Sequence, residues 1–132
     1  MFRKFITKNG KFEEEKEEVK SYTVGTFYIE AFKVVALKDN GTVVLADNKN
    51  KDHYEKVIGI ALESRFLNQG INVADDNEII NINWQLKTGA TYFLGRDGNI
   101  TDEFPKSGLI QPIGMAKNNH TLEINIGECA II

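Results

Sequence analysis

Val57-Ile58-Gly59-Ile60-Ala61 and Pro112-Ile113-Gly114-Met115-Ala116 are one β segment written twice, with their glycines 55 positions apart. Each is preceded by a turn: Leu37 leads through Asp39-Asn40-Gly41, and Leu94 through Arg96-Asp97-Gly98, with the turn glycines 57 positions apart. Each is followed by an alternating apolar stretch, Glu78-Ile79-Ile80-Asn81-Ile82 in the first copy and Leu122-Glu123-Ile124-Asn125-Ile126 in the second. A near-constant offset predicts a single β unit used twice, over about 34–82 and 91–126. Two copies are too few for a solenoid, so the halves are expected to close on one another.

The turns carry the strongest local signal. Asn40-Gly41 lies between the apolar runs 34–38 and 42–46, and an Asn-Gly pair there predicts a type I′ hairpin, whose two central residues need positive φ. Asp97-Gly98 has the same chemistry. A glycine inside a strand marks a bulge, a bend or a close backbone approach, so Gly59 and Gly114 are expected to let their strands turn a barrel corner or cross a neighbour. Gly89 joins Asn40, Gly41, Gly59, Asp97, Gly98 and Gly114 as an architectural position. Further strands are expected at 71–74, 78–83, 90–94 and 122–126, with a turn at 64–69. Short strands with turns every eight to twelve residues predict an all-β fold, a compact barrel or sandwich of two related β units.

Residues 1–20 read differently, as a charged N-terminal arm ahead of a β domain at 21–132. Helix is expected only in 11–20, where Phe12 and Val19 lie one heptad apart. The pairs Glu13/Glu17, Glu14/Glu18 and Lys16/Lys20 oppose an isolated helix, so the arm reads first as a solvated, partly mobile segment and, alternatively, as one that orders on a neighbouring subunit with Phe2, Phe5, Ile6 and Phe12 as anchors.

At 132 residues the chain is one domain by length, with 42% hydrophobic and 10% aromatic residues. A net charge of −3 and a pI near 5.4 argue against a nucleic-acid or anionic-membrane binder. One cysteine, Cys129, allows no internal disulfide. No apolar run has the length of a membrane span or a signal peptide, so synthesis and first folding in a cytoplasm are expected.

The chemistry of catalysis is thin. His53 falls in the polar loop 47–56 and His120 in a hairpin turn, and neither adjoins a nucleophile motif. Cys129 has acidic neighbours that would raise its pKa. The stretch 48–59 places His53 and Gly59 where a calcium loop needs Gly and Glu. Two histidines and one cysteine, scattered, do not supply a zinc site, and no glycine-rich phosphate loop is present. The expectation is no enzyme, no catalytic residue, no metal and no cofactor.

The run "ALKDNGTVVLAD", then "VIGIALES", then "LKTGATYFLGRDGNITDEFPKSG" and "IQPIGMAKNNHTLEINI" resembles the β domain recurrent in tailed-phage virion proteins: head decoration proteins, head fibres, and the adaptor or head-proximal parts of tail fibres. The likeness spans roughly 31–126 and is most specific over 86–126. It implies a virion structural protein, assembled in a bacterial cytoplasm, that decorates the capsid or anchors a fibre. It also implies a homotrimer, binding to the major capsid protein or other virion proteins, and no nucleic-acid or membrane partner. The chain ends six residues after Ile126, which favours a small decoration or adaptor subunit over a long fibre. Two alternatives stand beside this: a tail, baseplate or tail-fibre component, and a carbohydrate-binding host-recognition module using Trp84 and Tyr92 as stacking residues.

Overall fold

The computed structural model describes residues 19–132 in full and the backbone of 2–6 and 12–16. Those two stretches are strands, β1 (Phe2–Ile6) and β2 (Phe12–Lys16), paired antiparallel. The helix expected in 11–20 is therefore replaced by a hairpin. The physical reason is visible in the register. Like charges spaced four apart oppose a helix, whereas the ladder sets Arg3 opposite Glu15 and Lys4 opposite Glu14. The arm is also shorter than 1–20, because Val19 and Lys20 already belong to the first strand of the body.

That body opens with β3 (Val19–Val24), β4 (Tyr28–Ile29), β5 (Val34–Leu37), β6 (Thr42–Leu45), β7 (Val57–Ala61), β8 (Arg65–Phe66) and β9 (Gly70–Ala74). It continues with β10 (Glu78–Ile80), β11 (Thr91–Leu94), β12 (Ile100–Thr101), β13 (Leu109–Ile110), β14 (Pro112–Ala116), β15 (Thr121–Ile124) and β16 (Ala130–Ile131). One 3₁₀ turn, Lys51–His53, lies in the polar loop after β6, its start capped by the Asn50 side chain, which accepts from the Asp52 amide. The fold is all-β, as the patterning predicts.

The first unit is a closed barrel in the order β3-β6-β5-β7-β9, and the second is an open sheet in the order β10-β15-β14-β11-β12. These are one arrangement. Leu37 pairs with Val43 in the first hairpin and Leu94 with Ile100 in the second, each shifted by 57. Val35 faces Gly59 and Tyr92 faces Gly114, and in both ladders the register slips at the next residue. Equivalent bridges recur outside the ladders: the Leu37 amide donates to Lys56 O and the Leu94 amide to Gln111 O, both at 2.9 Å.

The repeat boundary differs from the sequence reading. Ala61 pairs with Val73 on β9, and the equivalent Ala116 pairs with Leu122 on β15. The counterpart of the terminal stretch 122–126 is thus β9, not 78–82. The segment 78–80 instead opens the second unit: β10 flanks β15 as β3 flanks β9. The two apolar stretches look alike because both run beside the same kind of strand, and alternation does not distinguish one neighbour from another.

Gly59 and Gly114 have a shared reason. A Cβ on Gly59 would lie 2.2 Å from Ala74 O, and one on Gly114 would lie 2.2 Å from Glu123 O. Both strands cross a neighbour's carbonyl at van der Waals range of a bare backbone, the close approach expected of a strand glycine.

Strand β5 explains how the units hold together. Val35 points into the barrel with Val24, Val43, Ile71 and Val73, while Val34 and Ala36 point outward into a second core with Ile60, Leu94, Ile113 and Leu122. A strand buried on both faces reads as the unbroken apolar run Val34-Val35-Ala36. The larger core is shared between the barrel wall and the second sheet, so neither unit buries its apolar surface alone.

Candidate functional site

The two expected hairpin turns are built differently. Asp97 and Gly98 both have positive φ, 53° and 78°, as a type I′ turn requires, and the Asn99 amide closes it on Arg96 O. In the other turn only Gly41 is positive, at 85°, and its amide donates to Lys38 O. Asp39-Asn40 are then the central pair and Gly41 is the left-handed residue after them, the three-residue hairpin rather than I′. Asn40 stabilises it, its Oδ1 accepting from the Thr42 amide at 3.1 Å.

The Asp97-Gly98 turn is inserted into the first unit. The Val34 amide donates to Gly98 O at 2.8 Å, and the Gly98 amide donates to Ala46 O at 2.6 Å. Beside it the Arg96 guanidinium donates to the Asp47 carboxylate at 2.8 Å. Burial pushes the Asp47 carboxyl up, but the Lys49 amide, the Arg96 charge and the Asp97 amide outweigh it and leave the carboxyl below its usual range. His53 is half-buried here and accepts from the Asp47 amide through Nδ1 at 3.0 Å. Burial lowers its pKa despite the pull of Asp47 and Asp52 in the other direction. His53 is thus a neutral structural acceptor rather than an exposed turn residue. His120 is likewise built in, its Nδ1–H donating to Trp84 O at 2.7 Å.

Two surfaces stand out. The first is an apolar knob at the β4–β8 pair. Phe27 is 78% exposed, Phe66 54%, Leu67 49% and Tyr28 38%. Phe66 packs edge-on against Phe27 at 6.0 Å and tilted, at 40°, against Tyr28 at 4.8 Å between ring centres. The backbone beneath is pinned: the Leu67 amide donates to Phe27 O, and the Phe66 amide to the Gln69 side chain. The sequence reading offered none of these residues as a site, because Phe27-Tyr28 and Phe66-Leu67 lie far apart in the chain and the β4–β8 pairing brings them together.

The second is a cleft of about 630 Å³ between the units, lined by Trp84, Phe32, Asn81, Asn83, Asn99 and Asp102 among others. Trp84 is half-buried, with Phe32 edge-on to it at 5.7 Å. Tyr92, the other expected stacking residue, meets the cleft only from beneath. It is 6% exposed, and its hydroxyl accepts from the Lys87 amide at 2.8 Å, so its ring offers no open face. The two are brought to one place, but only Trp84 is at the surface.

The expected arm anchors Phe2, Phe5 and Ile6 lie on β1 and Phe12 on β2, and their side chains fall outside the described residues. Cys129 is half-buried, and burial raises its thiol pKa, outweighing a Glu55 backbone hydrogen bond that lowers it, while the Glu55 charge adds to the rise. The direction matches the sequence reading, but desolvation is the larger cause. Among the described residues no group of three or more His, Cys, Asp or Glu side chains is placed to hold a metal ion.

A family model described as a domain of unknown function, DUF6359, matches residues 4–103. The chain belongs to this family. The matched span covers the whole barrel, the knob and both walls of the cleft, and stops before β13, β14 and β15. No curated protein matches the chain.

Proposed function

We propose that this protein is a non-enzymatic structural component of a tailed-phage virion, a capsid decoration or head-fibre adaptor subunit that binds the major capsid protein. The likeness of residues 31–126 to virion β domains motivates the class. The observation that carries the binding role is the knob. Four large apolar side chains project from a hydrogen-bonded two-stranded support, and an exposed apolar cluster of this kind marks an interaction surface. Aromatic anchors on a rigid backbone lose little conformational entropy when covered, and aromatics are enriched at the centres of interfaces. In this reading the subunits are homotrimers and the N-terminal hairpin grips a neighbour.

The test is virion fractionation with the variant Phe27→Ser/Phe66→Ser. Both side chains are more than half exposed, so the variant should keep its fold and melting temperature while its incorporation into particles falls at least tenfold. Absence of the wild-type protein from purified particles refutes the proposal. Labelling confined to tails or baseplates would replace the capsid partner with a tail component.

A further inference from the structure

We propose that the cleft is a binding site for a neutral saccharide, built where the second β unit fails to close. In the first unit the barrel is sealed by β3 running parallel to β6, with Thr23 opposite Thr42 and Val24 opposite Val43. The Gly25 amide completes the seal on Val43 O at 2.8 Å. In the second unit the equivalent edges are β10 and β12, and they are not neighbours. Strand β10 stops at Ile80, and the chain turns away through Asn81, whose Oδ1 accepts from the Asn83 amide at 3.0 Å. The open seam between Asn81–Gln85 on one side and Asn99–Asp102 on the other is the cleft.

Phe32 shows that the opening is furnished. Its repeat counterpart is Gly89: the Phe32 amide donates to Ala61 O and the Gly89 amide to the equivalent Ala116 O. Both residues have positive φ, 71° for Phe32 and 83° for Gly89. The second copy uses the residue this conformation favours, whereas the first holds a bulky aromatic in it, a strained choice of the sort that collects at binding sites. The strain places the Phe32 ring against Trp84.

The ligand class follows from the lining. Trp84 supplies an apolar face for the C–H face of a sugar ring, and its indole N–H has no partner among the described residues. The Glu30, Asn83 and Gln85 side chains line the same cleft, and none makes a hydrogen bond among the described residues. Planar amides and a carboxylate suit adjacent hydroxyls, each pair of which donates and accepts. The ionisable lining is Glu30, Lys33 and Asp102, with Asp102 paired to Lys87 at 3.3 Å and Lys33 bonded to the Asn99 side chain. Lys87 offsets the Asp102 charge, and the Glu30 carboxylate offsets the Lys33 ammonium, which keeps its charge beside the neutral Asn99 amide, so the lining has no net positive charge to favour phosphorylated or acidic sugars.

Trp84 is the single tryptophan, so its fluorescence reports this site alone. The full chain is titrated with maltotetraose, cellotetraose, chitotetraose and the anionic 3′-sialyllactose. The expected result is a saturable emission change with one of the neutral sugars, at a Kd on the order of 1 mM or tighter. Asn83→Ala should weaken that binding roughly fivefold, the worth of one neutral hydrogen bond. Phe32→Gly, which suits its backbone conformation, should keep the fold by circular dichroism and lose the binding. The proposal is overturned if no neutral sugar changes the emission at about 20 mM. It is also overturned if sialyllactose binds more tightly than all three, or if both variants bind as the wild type does.

Discussion

Gly41 and Gly98 occupy the same place in the two copies and have nearly the same φ, 85° and 78°, yet they face opposite surroundings. A Cβ on Gly41 would meet nothing within 4 Å, whereas one on Gly98 would meet Val34 O at 2.9 Å, Leu45 Cδ2 at 3.0 Å and Lys33 Cβ at 3.0 Å. Alanine at either position costs about 1–2 kcal/mol for the left-handed backbone. At Gly98 the methyl group must also push the turn off β5, which disturbs the Val34 N–H to Gly98 O and Gly98 N–H to Ala46 O bonds. Weakening two buried backbone bonds adds about 2–3 kcal/mol. Gly98→Ala should therefore destabilise by about 3–5 kcal/mol and Gly41→Ala by about 1–2 kcal/mol. Urea denaturation of both variants, read by far-ultraviolet circular dichroism, measures the difference directly. Equal losses, within about 0.5 kcal/mol, would refute the argument that the second turn fastens the two units together.

Other consequences are as direct. His53 accepts from the Asp47 amide only when neutral, and its folded pKa lies below 6.5. The unfolded chain therefore binds the extra proton first, so this contribution to stability is complete above 6.5 and is lost as pH falls below it; a His53→Gln variant should show a flatter stability profile between about pH 7 and pH 5. The depressed carboxyl of Asp47 acts by the same sign at lower pH, its contribution present above 3.8 and lost beneath. Arg96→Ala should cost no more than about 1 kcal/mol, shrinking in high salt, because the guanidinium is largely exposed; a loss above about 3 kcal/mol in chemical denaturation would contradict this. Gly114→Ala, which sets a methyl group against Glu123 O, should cost about 3 kcal/mol or more and leave β15 exchanging its amide hydrogens faster than β9.

Several features were legible because they are local. The glycine-bearing strands, the Asp97-Gly98 turn and the all-β class follow from period-two alternation and from conformations that only a few residues adopt. Other features were not legible because alternation reports which face of a strand is buried and not which strand lies beside it. Hence 78–82 resembled 122–126 although β10 and β15 are neighbours rather than counterparts. The arm misled for a related reason: an apolar residue at each end of a charge run fits a heptad, and the pairing of β1 with β2 joins residues about ten positions apart in the chain.

The candidate sites divide along the same line. Trp84 and Tyr92 read alike in the sequence as stacking candidates, and only the burial of Tyr92, with the Lys87 amide on its hydroxyl, separates them. Phe32 carried no sequence signal, since its strain is apparent only beside Gly89 at the same backbone position. The knob and the cleft needed the tertiary structure altogether. Two copies of a β unit, their turns and their close-packed glycines are written in local patterns of the chain. That one copy closes through β3 and β6 while the other stays open is a property of the folded arrangement, because closure depends on whether two strand edges distant in the chain come within hydrogen-bonding reach.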